Sequence, residues 1–162
     1  AAGWIAARYQ PDAIYTSPLR RCIHTGAAIA RACGRGAKIL ESLTDINYGS
    51  WQWKTPDEVH ARWPALLRAW RETPELVRIP GGESLQDLAV RAADARRYVA
   101  EEHAGQTVIL VTHDSAIRAM LLQLLDMGFQ SYRRFTISPC GIGEILVDAR
   151  HVTVQYLNAT PS

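Results

Sequence analysis

Three side chains in this chain have the types and settings to handle a phosphoryl group. Arg21 follows the run Ala13-Ile14-Tyr15-Thr16-Ser17-Pro18-Leu19-Arg20, and His113 follows Val108-Ile109-Leu110-Val111-Thr112. Each run reads as a short strand feeding a helix. A helix start presents free N–H groups and the positive end of the dipole, a ready anion site. Arginine can fork onto two phosphate oxygens, as lysine cannot. Histidine there can donate a hydrogen bond to a phosphoryl oxygen or bond covalently to phosphorus. The third is Asp45, in the aromatic stretch Leu43–Trp53, where a carboxyl could pass a proton to a leaving oxygen. Tyr48, Trp51 and Trp53 surround it in sequence and suit either a substrate wall or the core. Glu83, beside Ser84, reads first as helix-start chemistry and second as a substrate-lining acid.

The elements that must position these residues follow from local signals. Ser17 is expected to cap a helix with Pro18 at its first position, ending near Ala32 before Gly34 and Gly36. Ala37–Leu40 reads as a second strand. Prolines open two helices, Pro56–Arg62 and Pro64–Glu72, with Leu66, Leu67 and Trp70 inward. Pro80-Gly81-Gly82 is a turn, and Ser84 with Asp87 resembles a capping box opening a long helix. Thr107–Thr112 is nearly all apolar and β-branched, as for a central parallel strand buried on both faces. Ser115–Leu125 reads as an apolar helix. Ile142–Val147 and Val152–Leu157, joined by Asp148–His151, read as a closing hairpin. The alternation predicts a three-layer α/β/α sandwich, with a mostly parallel sheet and a C-terminal hairpin.

Bulk properties narrow the function. The 162 residues fit one domain. A net charge of +2 is too small to imply nucleic acid or a membrane surface. The longest apolar runs are about half a membrane span, and no signal-peptide pattern opens the chain. Cys22, Cys33 and Cys140 have no CxxC spacing, so a cytoplasmic protein without disulfides is expected. His113-Asp114 would also suit a metal-dependent phosphohydrolase, but His24, His60, His103 and His151 have no ligand spacing, so no metal is expected. The chain has no Walker loop, no GxGxxG and no GxSxG elbow, and no cofactor is implied.

With these motifs in order, the chain resembles the histidine phosphatase superfamily, the phosphoglycerate-mutase-like group. YTSPLRRCIHTG resembles the segment of its second active-site arginine, placing that role on Arg21. LTDINYGSW resembles the proton-donor loop, placing the donor on Asp45. PGGESLQDLAVR resembles the family's Gly-Gly-Glu-Ser helix start. VILVTHDSAIRAMLL resembles the strand and helix of the second active-site histidine, here His113. Two positions depart from the pattern: Asp45 stands where glutamate is usual, and Asp114 where glycine is usual. Ala1–Tyr9 reads as the tail of an uncapped helix. The family's Arg-His-Gly tripeptide, which carries the nucleophile, is not in the sequence. The resemblance therefore implies a longer protein, of which residues 1–162 are a histidine-phosphatase domain without its first strand. It implies a metal-independent phosphomonoesterase acting through phosphohistidine on a small phosphorylated metabolite. The alternatives are a cofactor-dependent phosphoglycerate mutase and a non-catalytic phosphate-binding relative. Family mutases usually carry a longer insertion than Lys54–Ile79, which favours the hydrolase. A small phosphorylated substrate is the expected partner; a homodimer is compatible, and no nucleic acid or membrane is expected.

Overall fold

The structure is a computed structural model that describes residues 1–148 and 150–161. Three parallel strands, β1 (Ala13–Thr16), β2 (Ala37–Ile39) and β3 (Val108–Val111), form a sheet in the order β2-β1-β3. Register is fixed by Ile14 opposite both Ala37 and Ile109. Alternation along β1 sends neighbouring side chains to opposite faces. Tyr15 joins a core with Leu43, Trp51, Trp70, Leu85, Leu88, Ala119 and Leu122. Ile14 joins a second core with Ile5, Cys22, Ile29 and Val111. The first core lies under helices α3 (Pro56–Arg62), α4 (Pro64–Glu72), α5 (Leu85–Glu102) and α6 (Asp114–Leu124). The second lies under α1 (Ala2–Ala6) and α2 (Arg20–Cys33). This gives the expected three layers. Strands β4 (Ile142–Val147) and β5 (Val152–Ala159) form the antiparallel hairpin, two residues longer than read. Of its joining segment Asp148–His151, Ala149 lies outside the described residues.

Local chemistry sets the helix ends. Gly34 closes α2 in the left-handed region at φ 64°, which costs glycine little. Full capping boxes open α3 through Thr55 and Glu58, and α5 through Ser84 and Asp87. One expectation changes. The cap residue of α2 is Leu19, without a side-chain cap, so Ser17 and Pro18 precede the helix rather than open it. Among the described residues, β1 lies between β2 and β3. Both faces of β3 are covered, with Val108 and Leu110 on the first core and Ile109 and Val111 on the second. An apolar run reports coverage of faces; it does not report how many strands lie alongside. Among the described residues, β3 pairs with β1 alone.

Candidate active site

Parallel strands deliver their following residues to one edge, where ligands gather in open α/β sheets. Here β1 runs into Ser17 and then Arg21 in the first turn of α2, and β3 runs into Thr112 and His113. Asp45 comes from the loop after a 3-10 turn at Glu41–Leu43. These pieces meet. The Arg21 guanidinium donates from Nη2 to Asp45 Oδ2 at 2.8 Å. It also faces His113 Nδ1, 2.9 Å from Nη2 and 3.2 Å from Nε. Arginine has no acceptor, so Nδ1 must be the lone-pair nitrogen. The ring proton then sits on Nε2 and is donated to Ser17 Oγ at 2.8 Å. His113 is 6% exposed, and burial pushes its pKa below the ordinary histidine value, against the charge of Asp45. The imidazole is therefore neutral and held in one tautomer, with its Nδ1 lone pair accepting from Arg21.

Asp45 is held from three directions. Besides Arg21, its Oδ1 accepts from Ser115 Oγ at 2.5 Å and from the Ile46 N–H at 2.9 Å. Ser115 is fully buried in the first turn of α6, so the helix that follows His113 also grips the acid. Cys22 lies under the cluster, with Sγ 3.6 Å from Thr112 O and 3.5 Å from His113 Nε2. Burial raises its thiol pKa, leaving a packed thiol rather than a thiolate nucleophile.

The loop carrying Asp45 is fastened by a clamp. Arg91, on α5, donates from Nε to Glu83 Oε1 (3.0 Å) and from Nη2 to Glu83 Oε2 (2.7 Å). The same guanidinium donates to Thr44 O (2.8 Å) and Asp45 O (3.1 Å). Glu83 Oε2 also accepts from the Asn47 N–H at 2.7 Å. Burial alone would raise the Glu83 pKa; the Arg91 and Asn47 hydrogen bonds overcome it and hold the carboxyl below its usual value. The Glu83 carboxylate thus faces the loop backbone and Arg91. Gly49 sits at φ 46° against the Pro80–Gly82 turn, where an added Cβ would strike Pro80 O and the Gly81 and Gly82 backbone.

From Arg21 and Asp45 a cleft of about 580 Å³ opens along the aromatic loop. Tyr48, Trp51, Trp53, Lys54, Trp70 and Arg71 line it. Tyr48 is partly buried, and burial pushes its phenol up to about 12, so it stays protonated. Trp51 is both wall and core: it is 6% exposed, stacks edge-on against Trp70 at 6.1 Å, and its buried Nε1 has no partner among the described residues. Trp53 is fully exposed.

Arg21, Asp45 and His113, singled out from sequence, thus converge. Four residues with roles here were not singled out: Ser17 (read only as a cap), Cys22, Ser115 and Arg91. Arg91 left one trace, its place on α5 eight residues after Glu83, which precedes the helix cap Ser84.

Among the described residues, no group of three or more histidine, cysteine or acidic side chains could hold a metal ion. No described helix is long and apolar enough to cross a membrane. The profile of the histidine phosphatase superfamily (branch 1) matches residues 1–160. The chain is 31% identical to phosphoserine phosphatase 1 of Hydrogenobacter thermophilus, over 92% of this chain and 71% of that protein. It is 33% identical to a bifunctional protein of Mycobacterium tuberculosis, over 99% of this chain but 44% of the relative. A solved mycobacterial glucosyl-3-phosphoglycerate phosphatase superposes with a TM-score of 0.88 at 22% identity, over 99% of this chain and 76% of that one.

Proposed function

The chain belongs to the histidine phosphatase superfamily, and on that premise we propose that its protein is a phosphomonoesterase of small phosphorylated metabolites, working through a phosphohistidine. The observation that carries this reading is the convergence of Arg21, His113 and Asp45 at one sheet edge. Arg21 binds equatorial phosphoryl oxygens, where charge must be stabilised during transfer. A phosphate dianion beside His113 favours the imidazolium and draws a proton onto Nδ1, which then donates to a phosphoryl oxygen. The nucleophile is a histidine in an Arg-His-Gly segment that the 162 residues do not include. Its nitrogen attacks phosphorus, the bond to the leaving oxygen breaks, and Asp45, protonated from water once the phosphate has replaced it on Arg21, gives that oxygen its proton. Water then attacks the phosphohistidine, Asp45 takes a proton from it, and phosphate leaves.

Guanidinium and imidazolium supply the positive charge, so the reaction needs no metal. The three free cysteines support a reducing, cytoplasmic setting. The test uses the full-length protein and an aryl phosphate. Turnover should persist in EDTA, and Arg21→Ala should cost roughly a thousandfold. Loss on chelation restored by a divalent ion would overturn metal independence, and near-normal Arg21→Ala turnover would overturn the site. Transfer between phosphoglycerates without release of phosphate would mark a mutase instead.

A further inference from the structure

Trp53 is both exposed and strained. Its indole is completely exposed, and its backbone lies at φ 62°, a region bulky side chains rarely occupy. Its neighbours leave it little choice. A 3-10 turn, Gly49–Trp51, closes on one side through Gln52 N to Gly49 O at 3.1 Å. On the other side the Thr55 capping box starts α3. Glycine or asparagine would satisfy this bend at less cost. Strain held at a position that buries nothing points to use by a ligand.

Besides Arg21, two cations line the same cleft. Lys54 and Arg71 are exposed, and neither forms an ion pair with a carboxylate among the described residues. Glu58, near Lys54, is engaged by the Thr55 N–H at 2.7 Å. Asp45 is the single acidic residue among those lining the cleft. The rear wall is set by Trp70, edge-on to both Tyr48 and Trp51. A volume of about 580 Å³ matches a small molecule.

We infer that this end of the cleft is a subsite for the alcohol part of the phosphomonoester: a ring resting on the Trp53 indole, carrying a second anionic group met by Lys54 and Arg71. The inference rests on the phosphatase reading and narrows its substrate class. Full-length protein is assayed with two matched pairs: phenyl and 4-carboxyphenyl phosphate, then propyl and 3-carboxypropyl phosphate. In the wild type the carboxylated member of each pair should have the higher kcat/KM, chiefly through KM. Lys54→Gln with Arg71→Gln should shrink that preference roughly three- to tenfold. Trp53→Ala should lower the ratio of aryl to alkyl kcat/KM by a similar factor. Preferences unmoved by either variant, with turnover intact, overturn the subsite and leave the phosphatase standing. Binding of 4-carboxyphenylphosphonate, measured by calorimetry, separates the converse case. If no substrate turns over but this ligand binds and weakens in both variants, the subsite stands and the hydrolase reading falls.

Discussion

Replacing Arg91 with methionine should loosen the donor loop while leaving the phosphate-binding residues in place. Methionine keeps the aliphatic stem packed and removes the guanidinium. Four hydrogen bonds disappear: two to Glu83 and one each to Thr44 O and Asp45 O. Breaking a fully buried ion pair costs about 3–5 kcal/mol. Here the side chains of Arg91 and Glu83 are 26% and 21% exposed, so water recovers part of that. Glu83 also keeps the Asn47 N–H. About 2–3 kcal/mol of destabilisation is expected. For a chain of this size that is a fall in Tm of roughly 4–12 °C. Glu83→Gln should cost less, since the neutral amide keeps a partner and Arg91 keeps two carbonyls. The double mutant should be more stable than the sum of the single losses implies, by about 1–2 kcal/mol. There is also a pH signature. The Glu83 pKa is depressed in the fold, so its contribution is present above the unfolded value of 4.5 and lost as pH falls through the lower folded value. Urea midpoints should therefore drop more steeply for wild type than for Arg91→Met as pH falls below 4.5. In turnover, alkyl phosphates should suffer more than aryl phosphates, because the loosened element carries Asp45, the proposed proton donor. An Arg91→Met protein within about 0.5 kcal/mol of wild type, with an unchanged alkyl-to-aryl ratio, would refute the clamp.

Asp45→Asn cannot supply a proton, so it should slow alkyl phosphate hydrolysis by roughly a hundred- to ten-thousandfold but para-nitrophenyl phosphate far less; equal losses in a folded protein would make Asp45 structural, and the same leaving-group dependence in Glu83→Gln instead would move the role to Glu83. The pKa of His113 is lowered mainly by burial, so between its folded value and the unfolded value of 6.5 the unfolded state binds more protons, and stability should fall as pH drops below 6.5. His113→Gln should flatten that part of the Tm-against-pH curve, and parallel curves would contradict a buried neutral imidazole. Gly49→Ala places a Cβ against the Pro80–Gly82 backbone at a positive φ and should cost at least about 2 kcal/mol, read as a lower urea midpoint; a neutral substitution would show that this approach can relax.

What could be read in advance was chemistry that acts within a few residues. Pro56 and Pro64 mark helix starts because their missing N–H is harmless there, and Ser84 finds Asp87 three residues on. Gly34 stops α2 because a left-handed residue must follow it. The strand-to-helix junctions at Arg21 and His113 belong to the same class. What stayed hidden needs the third dimension. Ser17 has the hydroxyl of a cap, but the fold spends it on His113, 96 residues away. Ser115 meets Asp45 across 70 residues. Trp51 and Trp53 look alike in sequence; one packs on Trp70 and the other, itself in the left-handed region, faces water.

Arg21 already holds an anion, the carboxylate of Asp45, at 2.8 Å. A phosphate bound there arrives by exchange rather than by addition: one anion leaves the guanidinium as another takes its place. Affinity is then the difference between two pairings. A singly charged ligand, such as a sulfate monoester or a simple carboxylate, offers Arg21 little that Asp45 does not offer at no translational cost. A phosphomonoester dianion brings a second charge and a further oxygen for His113, so it wins the exchange. Discrimination by charge number thus arises from an internal competitor, without a closing lid. The competitor it displaces is the proposed acid, so admission of the phosphate also frees the side chain that, once protonated from water, would serve the leaving group.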